Sequence, residues 1–217
     1  MNSRITTILL CTGLALSGIL LALSLTDFRI PGNQLGYEPA QPIAYSHRLH
    51  AGELQIPCLY CHSGAEKSRH AGIPAASVCM NCHRYVTAGF GSGGAEDEMA
   101  VKEKRSPRPV ISDELRKLYQ AVALDDKLQP VPAKVPVPIA WTGVHKLPDF
   151  VYFDHRPHVK AEVACQQCHG PVETMERMRQ TPDLSMGWCV NCHRQANQKG
   201  INGKAVKASL DCSACHY

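Results

Sequence analysis

Aromatic side chains are scarce in this 217-residue chain: 6% of the total, with only 4 Phe and 2 Trp. That excludes a large sheet or bundle core built around rings, so something else must fill the interior. No dense run of lysine or arginine occurs, and the formal charge of +4 leaves no footprint for nucleic acid. Long uncharged runs are also missing, with one exception. Ile5 to Leu25 carries no charge and is bracketed by Arg4 and Asp27. A helix of that length spans roughly 30 Å, enough for the hydrocarbon core of a bilayer. Residues 1–26 are therefore expected to form a retained transmembrane anchor. A cleaved signal peptide is the rival, because Ala22-Leu23-Ser24 offers small residues at the cleavage positions.

What the chain does hold is cysteine, 11 in all, and histidine, also 11. Apart from Cys11, every cysteine falls in a Cys-x-x-Cys pair followed at once by histidine. The five motifs are Cys58-Leu-Tyr-Cys61-His62, Cys79-Met-Asn-Cys82-His83, Cys165-Gln-Gln-Cys168-His169, Cys189-Val-Asn-Cys192-His193 and Cys212-Ser-Ala-Cys215-His216. This is the attachment pattern of c-type haem. Two thiols three residues apart on a helical turn reach the two vinyl groups of one porphyrin edge. The next histidine then lies under the ring and offers a nitrogen to the iron. Zinc sites and disulfides are the alternatives. Neither needs a histidine after the second cysteine, and five such placements by chance have odds on the order of 10⁻⁷. The expectation is five covalently bound haem c groups, which also supply the missing core. Each ferric haem with two propionates adds one negative charge, so the net charge moves from +4 to about −1 when oxidised.

The rest of the chain reads as a duplication. Tyr45-Ser-His47-Arg-Leu-His50 precedes Cys58 as Phe153-Asp-His155-Arg-Pro-His158 precedes Cys165, and both are aromatic-x-His-Arg-x-His. Cys79-Met-Asn-Cys-His-Arg84 matches Cys189-Val-Asn-Cys-His-Arg194 in the same way. The expected organisation is an anchor at 1–26, a first two-haem module at 27–88, a connector at 89–144, and a second module plus an extra C-terminal haem at 145–217. Within the connector, Gly89 to Gly94 reads as a loop and Glu96 to Arg105 as a solvated surface. Ser112 followed by Asp113-Glu114 starts a helix running to about Leu124. Pro130, Pro132, Pro136 and Pro138 then make an extended strap. The fold class is a membrane-anchored multihaem cytochrome c: short α-helices and irregular loops wrapped around five haems, one transmembrane helix, little or no β-sheet.

Each iron needs a second axial ligand or an open site. His47, His50, His155 and His158 are the candidate distal ligands of four haems. Two histidines three residues apart project from nearly the same place and can serve neighbouring irons. For the fifth haem the choice lies between His145 and Met186, neither of which has a counterpart in the other module. His70 reads as structural. Irons ligated on both faces leave no place for substrate, so no catalytic residue is assigned and the chain reads as an electron conduit. Covalent haem attachment puts the domain on the periplasmic side of a bacterial cytoplasmic membrane.

The strings Tyr45-Ser-His-Arg-Leu-His-Ala-Gly-Glu-Leu54, Ala71-Gly-Ile-Pro74, Leu147-Pro-Asp-Phe-Val-Tyr-Phe-Asp-His155 and Met186-Gly-Trp-Cys189 carry a resemblance. They look like the pentahaem cytochrome c (ActA) of bacterial alternative complex III, and the paired-histidine modules look like class III multihaem cytochromes c. The resemblance covers most of residues 5–217. It implies a complex that oxidises quinol and passes electrons to a periplasmic cytochrome c or an oxidase. Its implied partners are multi-span quinol-binding subunits, an iron–sulfur protein resembling molybdopterin oxidoreductases, and a monohaem cytochrome c. Related pentahaem subunits also occur in quinone reductases, which leaves the direction of flow open. A NapC/NrfH-type quinol dehydrogenase is the rival in another class. Those proteins resemble a four-haem plan with methionine just after the first motif, where Ser63 and Gly64 stand here. A free periplasmic shuttle, released after Ser24, is the third reading.

Overall fold

Apolar sequence without a charge makes the first element. In the computed structural model, which describes residues 3–27 and 34–216, helix α1 runs Ser3–Asp27. Its Arg4–Ser24 stretch has a mean hydropathy of 2.1 and is long and apolar enough to cross a membrane. The hydroxyls within it bond back to the turn before: Thr12 donates to the carbonyl of Ile8, Ser17 to Gly13 and Ser24 to Leu20. These three hydroxyls are thereby satisfied within the helix, which is what a lipid surround demands.

After α1 the chain is short helices joined by loops. A π-helical turn spans Arg48–Glu53. It is followed by α2 (Cys58–Cys61), α3 (Gly64–Lys67) and α4 (Ala76–His83). The connector holds α5 (Ser92–Lys102) and α6 (Asp113–Ala121). The second module holds α7 (His155–Lys160), α8 (Gln166–His169), a 3-10 turn at Val172–Thr174, α9 (Met186–Lys199) and a last 3-10 turn at Cys212–Ala214. Among the described residues there is no strand, only isolated bridges such as Val151 with His216.

Helix starts follow capping chemistry. The side chains of Ser112, Asp154 and Ser185 accept hydrogen bonds from the backbone N–H groups of Leu115, Arg156 and Trp188. Helix α9 stops at Gly200, whose φ of +72° suits glycine and whose added Cβ would lie 2.4 Å from the carbonyl oxygen of Lys204.

The connector has two helices where the sequence predicts one. Gly91, at φ +84°, ends the glycine loop, and the run from Ala95 to Lys102 is rich in strong helix formers. The acidic-basic stretch is half helix rather than plain surface. Arg105 folds back on Glu96, the carboxylate of Glu96 also accepts from the backbone N–H of Arg108, and Ala100 is buried beneath.

Helix α6 packs on α4, with Met80, Ile111, Leu118 and Tyr119 forming the buried cluster between them. Burying side chains such as Leu118 and Tyr119 contributes about 1.5–3 kcal/mol each. The Tyr119 hydroxyl donates to the carbonyl of His83 at 2.7 Å. The proline strap returns across this helix, Val137 N–H donating to Ala121 at 2.8 Å and Val131 N–H to Ala123 at 2.9 Å. The connector is thus clamped to the second Cys-x-x-Cys-His turn.

Candidate haem-binding site

Local helical geometry presents the thiols. Four motifs sit on α2, α4, α8 and α9, and the fifth on the turn Cys212–Ala214, so each cysteine pair is one turn apart. No two of the eleven cysteines are joined in a disulfide. Among the described residues no group of three or more His, Cys, Asp or Glu side chains is arranged to hold a bare metal ion.

The histidines meet in pairs. His47 faces His62 with ring centroids 6.5 Å apart and planes 8° apart. His155 faces His169 at 6.3 Å and 7°. His50 and His83 lie 6.0 Å apart at 62°, and His158 and His193 lie 6.0 Å apart at 40°. Two imidazoles on opposite faces of one iron, each bonded through nitrogen at about 2 Å, have centroids roughly 6 Å apart. The four separations fit a metal between the rings and are too long for direct stacking.

Protonation favours the same arrangement. The Nδ1–H of His62 donates to Gly72 at 2.7 Å, that of His83 to Val86 at 2.8 Å, and that of His193 to Ser209 at 2.6 Å. Among the upstream histidines, His50 donates to Ser46 at 2.8 Å, His155 to Arg69 at 2.7 Å and His158 to Asp154 at 2.8 Å. A carbonyl can only accept, so each Nδ1 keeps its hydrogen and leaves Nε2 with a free lone pair for a metal. Burial, then the charges of His62 and His50, lower the pKa of His47 to about 4. Burial likewise lowers His169 to about 4, followed by His145, His155, His62 and His47. These rings stay neutral at pH 7, as ligation requires. Nδ1 of His47 is buried without a partner.

One aromatic ring wedges each histidine pair. Tyr45 packs edge-on against His47 at 4.9 Å and stacks on His50 at 4.4 Å. Phe153 meets His155 and His158, each at 4.8 Å. The duplicated motif contains both aromatics, but nothing in its pattern reveals them as spacers. Arg69 has no local sequence signal at all. Its carbonyl holds His155, and its guanidinium lies over the Tyr152 ring at 4.4 Å.

The fifth motif differs. The ring facing His216 is Phe150, with centroids 5.8 Å apart. His145 instead stands edge-on to His169 at 4.5 Å, too close for an iron between them, with its Nε2 buried and unpartnered. Met186 opens α9 with 69% of its surface exposed. His70 is exposed.

Short helices and loops strung on haem-attachment turns, with no strand among the described residues, define a multihaem cytochrome c, and the group such motifs hold is covalently bound haem c. Comparison with known proteins agrees with this class. Residues 151–217 match the family of cytochrome c7 and related cytochrome c. The chain is also similar to the multihaem cytochrome c subunit of menaquinone reductase from Nitratidesulfovibrio vulgaris. The two are 24% identical over 223 residues, covering 92% of this chain and 87% of that protein.

Proposed function

We propose that the chain holds five haems c, four of them between paired imidazoles, and is the electron-transfer component of a membrane-bound quinol:acceptor oxidoreductase resembling alternative complex III. The observation that carries this reading is the set of four histidine pairs with centroids 6.0–6.5 Å apart. His62, His83, His169 and His193, together with His47, His50, His155 and His158, would hold the four irons through their ring nitrogens. When bound, a haem ligated on both faces exchanges single electrons between ferric and ferrous iron and offers no position to a substrate. The chain's own part is to hold and orient the rings. The Nδ1–H bonds to backbone carbonyls fix the imidazoles of His50, His62, His83, His155, His158 and His193 and raise their basicity, while Tyr45 and Phe153 keep the two rings of each segment apart.

Helix α1 would keep this domain at the periplasmic face of the cytoplasmic membrane, beside the quinone pool. The partners in this reading are multi-span quinol-binding subunits, an iron–sulfur protein and a monohaem cytochrome c. One observation favours the reverse direction: the similar protein from Nitratidesulfovibrio vulgaris is named for reduction of menaquinone.

Gentle purification from native membranes tests both readings. Intact mass of the denatured chain should equal the polypeptide plus five haems. Co-purifying subunits identify the complex, and haem potentials measured against the menaquinone couple give the direction: potentials above it mean quinol oxidation, potentials below it quinone reduction. A four-haem mass with quinol oxidation by the isolated chain would favour the NapC/NrfH type. A soluble native protein starting near Leu25 would favour the shuttle.

A further inference from the structure

The two histidine-bearing segments pack on each other's modules. The turn Arg48–Glu53 lies against Val172–Thr174, just after the third motif, and α7 lies against α3, just after the first. The exchange is reciprocal: the ligand segment of each half touches the segment following the first haem motif of the other. Reciprocal contact of this kind is what a two-fold axis produces.

The polar bonds obey the same rule. The backbone N–H of Arg48 donates to Met175 at 2.8 Å, and its guanidinium pairs with Glu176. In the other direction His155 donates its backbone N–H and its ring Nδ1–H to Arg69, at 3.2 and 2.7 Å. In the first half one histidine segment ties two motifs together: His47 faces His62 while His50 faces His83, and the Asn81 amide donates to the Tyr60 hydroxyl at 3.1 Å. In the second half His155 faces His169 while His158 faces His193, and beyond the fourth motif His193 Nδ1–H donates to Ser209 at 2.6 Å and the Asn197 amide to Ala208 at 2.9 Å, just before Cys212. Ring angles sort the same way. The two central histidine pairs are nearly parallel at 8° and 7°, and the two outer pairs are crossed at 62° and 40°.

We propose that the two modules are related by an internal two-fold whose contact joins the first and third motifs, so that the five attachment sites stand in the spatial order second, first, third, fourth, fifth. This rests on the reading that each motif holds a haem. Chain order would instead put the second motif beside the third. In the proposed row the motifs at Cys79–His83 and Cys212–His216 are the two ends, and the halves are bridged where the turn Arg48–Glu53 meets Val172–Thr174 and α3 meets α7.

The experiment is to locate the irons of the purified holoprotein by anomalous scattering or cryo-EM and assign each to its motif. The iron of the first motif should be nearest that of the third, with the second and fifth at the ends. Five irons in any other order overturn the inference and leave the electron-transfer reading standing, whereas fewer than five irons sink that reading itself. Low-temperature EPR of the oxidised protein is a second readout. Parallel imidazole planes give rhombic low-spin signals and strongly crossed planes give signals with a larger maximum g value. Two haems of the first kind, distinct from two crossed ones, are expected. His47→Met and His155→Met should each remove one rhombic signal, and loss of a large-g signal in either variant overturns the assignment.

Discussion

His155 gives both of its N–H groups, backbone and ring, to the carbonyl oxygen of Arg69, 86 residues earlier in the chain. One carbonyl thus fixes the start of α7, the tautomer of a candidate ligand and the distance between the two modules. His47, the corresponding residue of the first module, has no such partner for its Nδ1. The two halves are alike in plan and unlike in how tightly their ligands are tied.

A neutral ring-to-carbonyl hydrogen bond contributes about 0.5–1.5 kcal/mol. Replacing either histidine by alanine should convert one low-spin haem to high-spin. His155→Ala should also melt lower than His47→Ala, since only it loses the inter-module bond. Thermal unfolding of the two holoproteins followed by circular dichroism checks this, and equal melting points would count against the tie.

Gly52 is a second point of contact between the halves. A Cβ built there would lie 2.2 Å from the carbonyl oxygen of Glu173, a backbone atom that cannot swing aside. Gly52→Ala must push the turn Arg48–Glu53 away from Val172–Thr174. The expected cost is about 1–3 kcal/mol, typical of overpacking at a close contact. Gly72→Ala meets nothing within 4 Å, but its φ of +74° strains any side chain, so Gly89→Ala is the better control. Denaturant unfolding of the Gly52 and Gly89 variants gives the comparison, and equal midpoints would mean the turn yields freely.

The motifs and their histidine pairs are legible in the sequence because covalent attachment dictates local spacing. Two thiols and an imidazole must reach one porphyrin whatever the surroundings. The aromatic-x-His-Arg-x-His repeat and the cap at Ser112 are local for the same reason. What faces His216 is not local: Phe150 is brought there by the Val151–His216 bridge and by Tyr152 N–H donating to Cys215 at 2.8 Å. Helix α5 is hidden by the glycines at its start, and the ion pair of Arg105 with Glu96 joins residues nine apart. The reciprocal packing of the modules depends on contacts more than a hundred residues apart, such as Arg48 with Glu176, which no window of sequence contains.

Helix α5 should respond to acid. The Arg105 guanidinium, then the backbone N–H of Arg108, lower the Glu96 carboxyl from 4.5 to about 2. A folded-state value below the unfolded one means the pair stabilises fully above the ordinary carboxyl value and loses its effect as pH falls towards 2. Amide hydrogen exchange in residues 92–102 should therefore be slow at pH 5–7 and, corrected for intrinsic rates, lose protection between about pH 4 and 2. Glu96→Gln should show weaker protection already at pH 6, and little pH dependence. The same profile in both proteins would mean the pair does not hold the helix.

Neither His145 nor Met186 should behave as the axial ligand of the fifth haem. A thioether on ferric haem iron gives a sulfur-to-iron charge-transfer band in the far red, and it raises the potential relative to imidazole. Met186 is largely exposed, and the ring facing His216 is that of Phe150. The oxidised protein should then show no far-red sulfur band, and Met186→Leu should leave its spectrum unchanged. His145 stands edge-on to His169, so its effect belongs to the third motif and not the fifth. A neighbouring ring with a buried, unpartnered nitrogen tunes the iron through the ligand it touches. His145→Ala should shift the potential of the haem attached at Cys165 and Cys168 and convert no haem to high-spin. Spectroelectrochemical titration with the EPR signals assigned motif by motif decides it. A high-spin signal at the Cys212–Cys215 haem in His145→Ala would make His145 that haem's ligand after all, and a far-red band lost in Met186→Leu would do the same for the methionine.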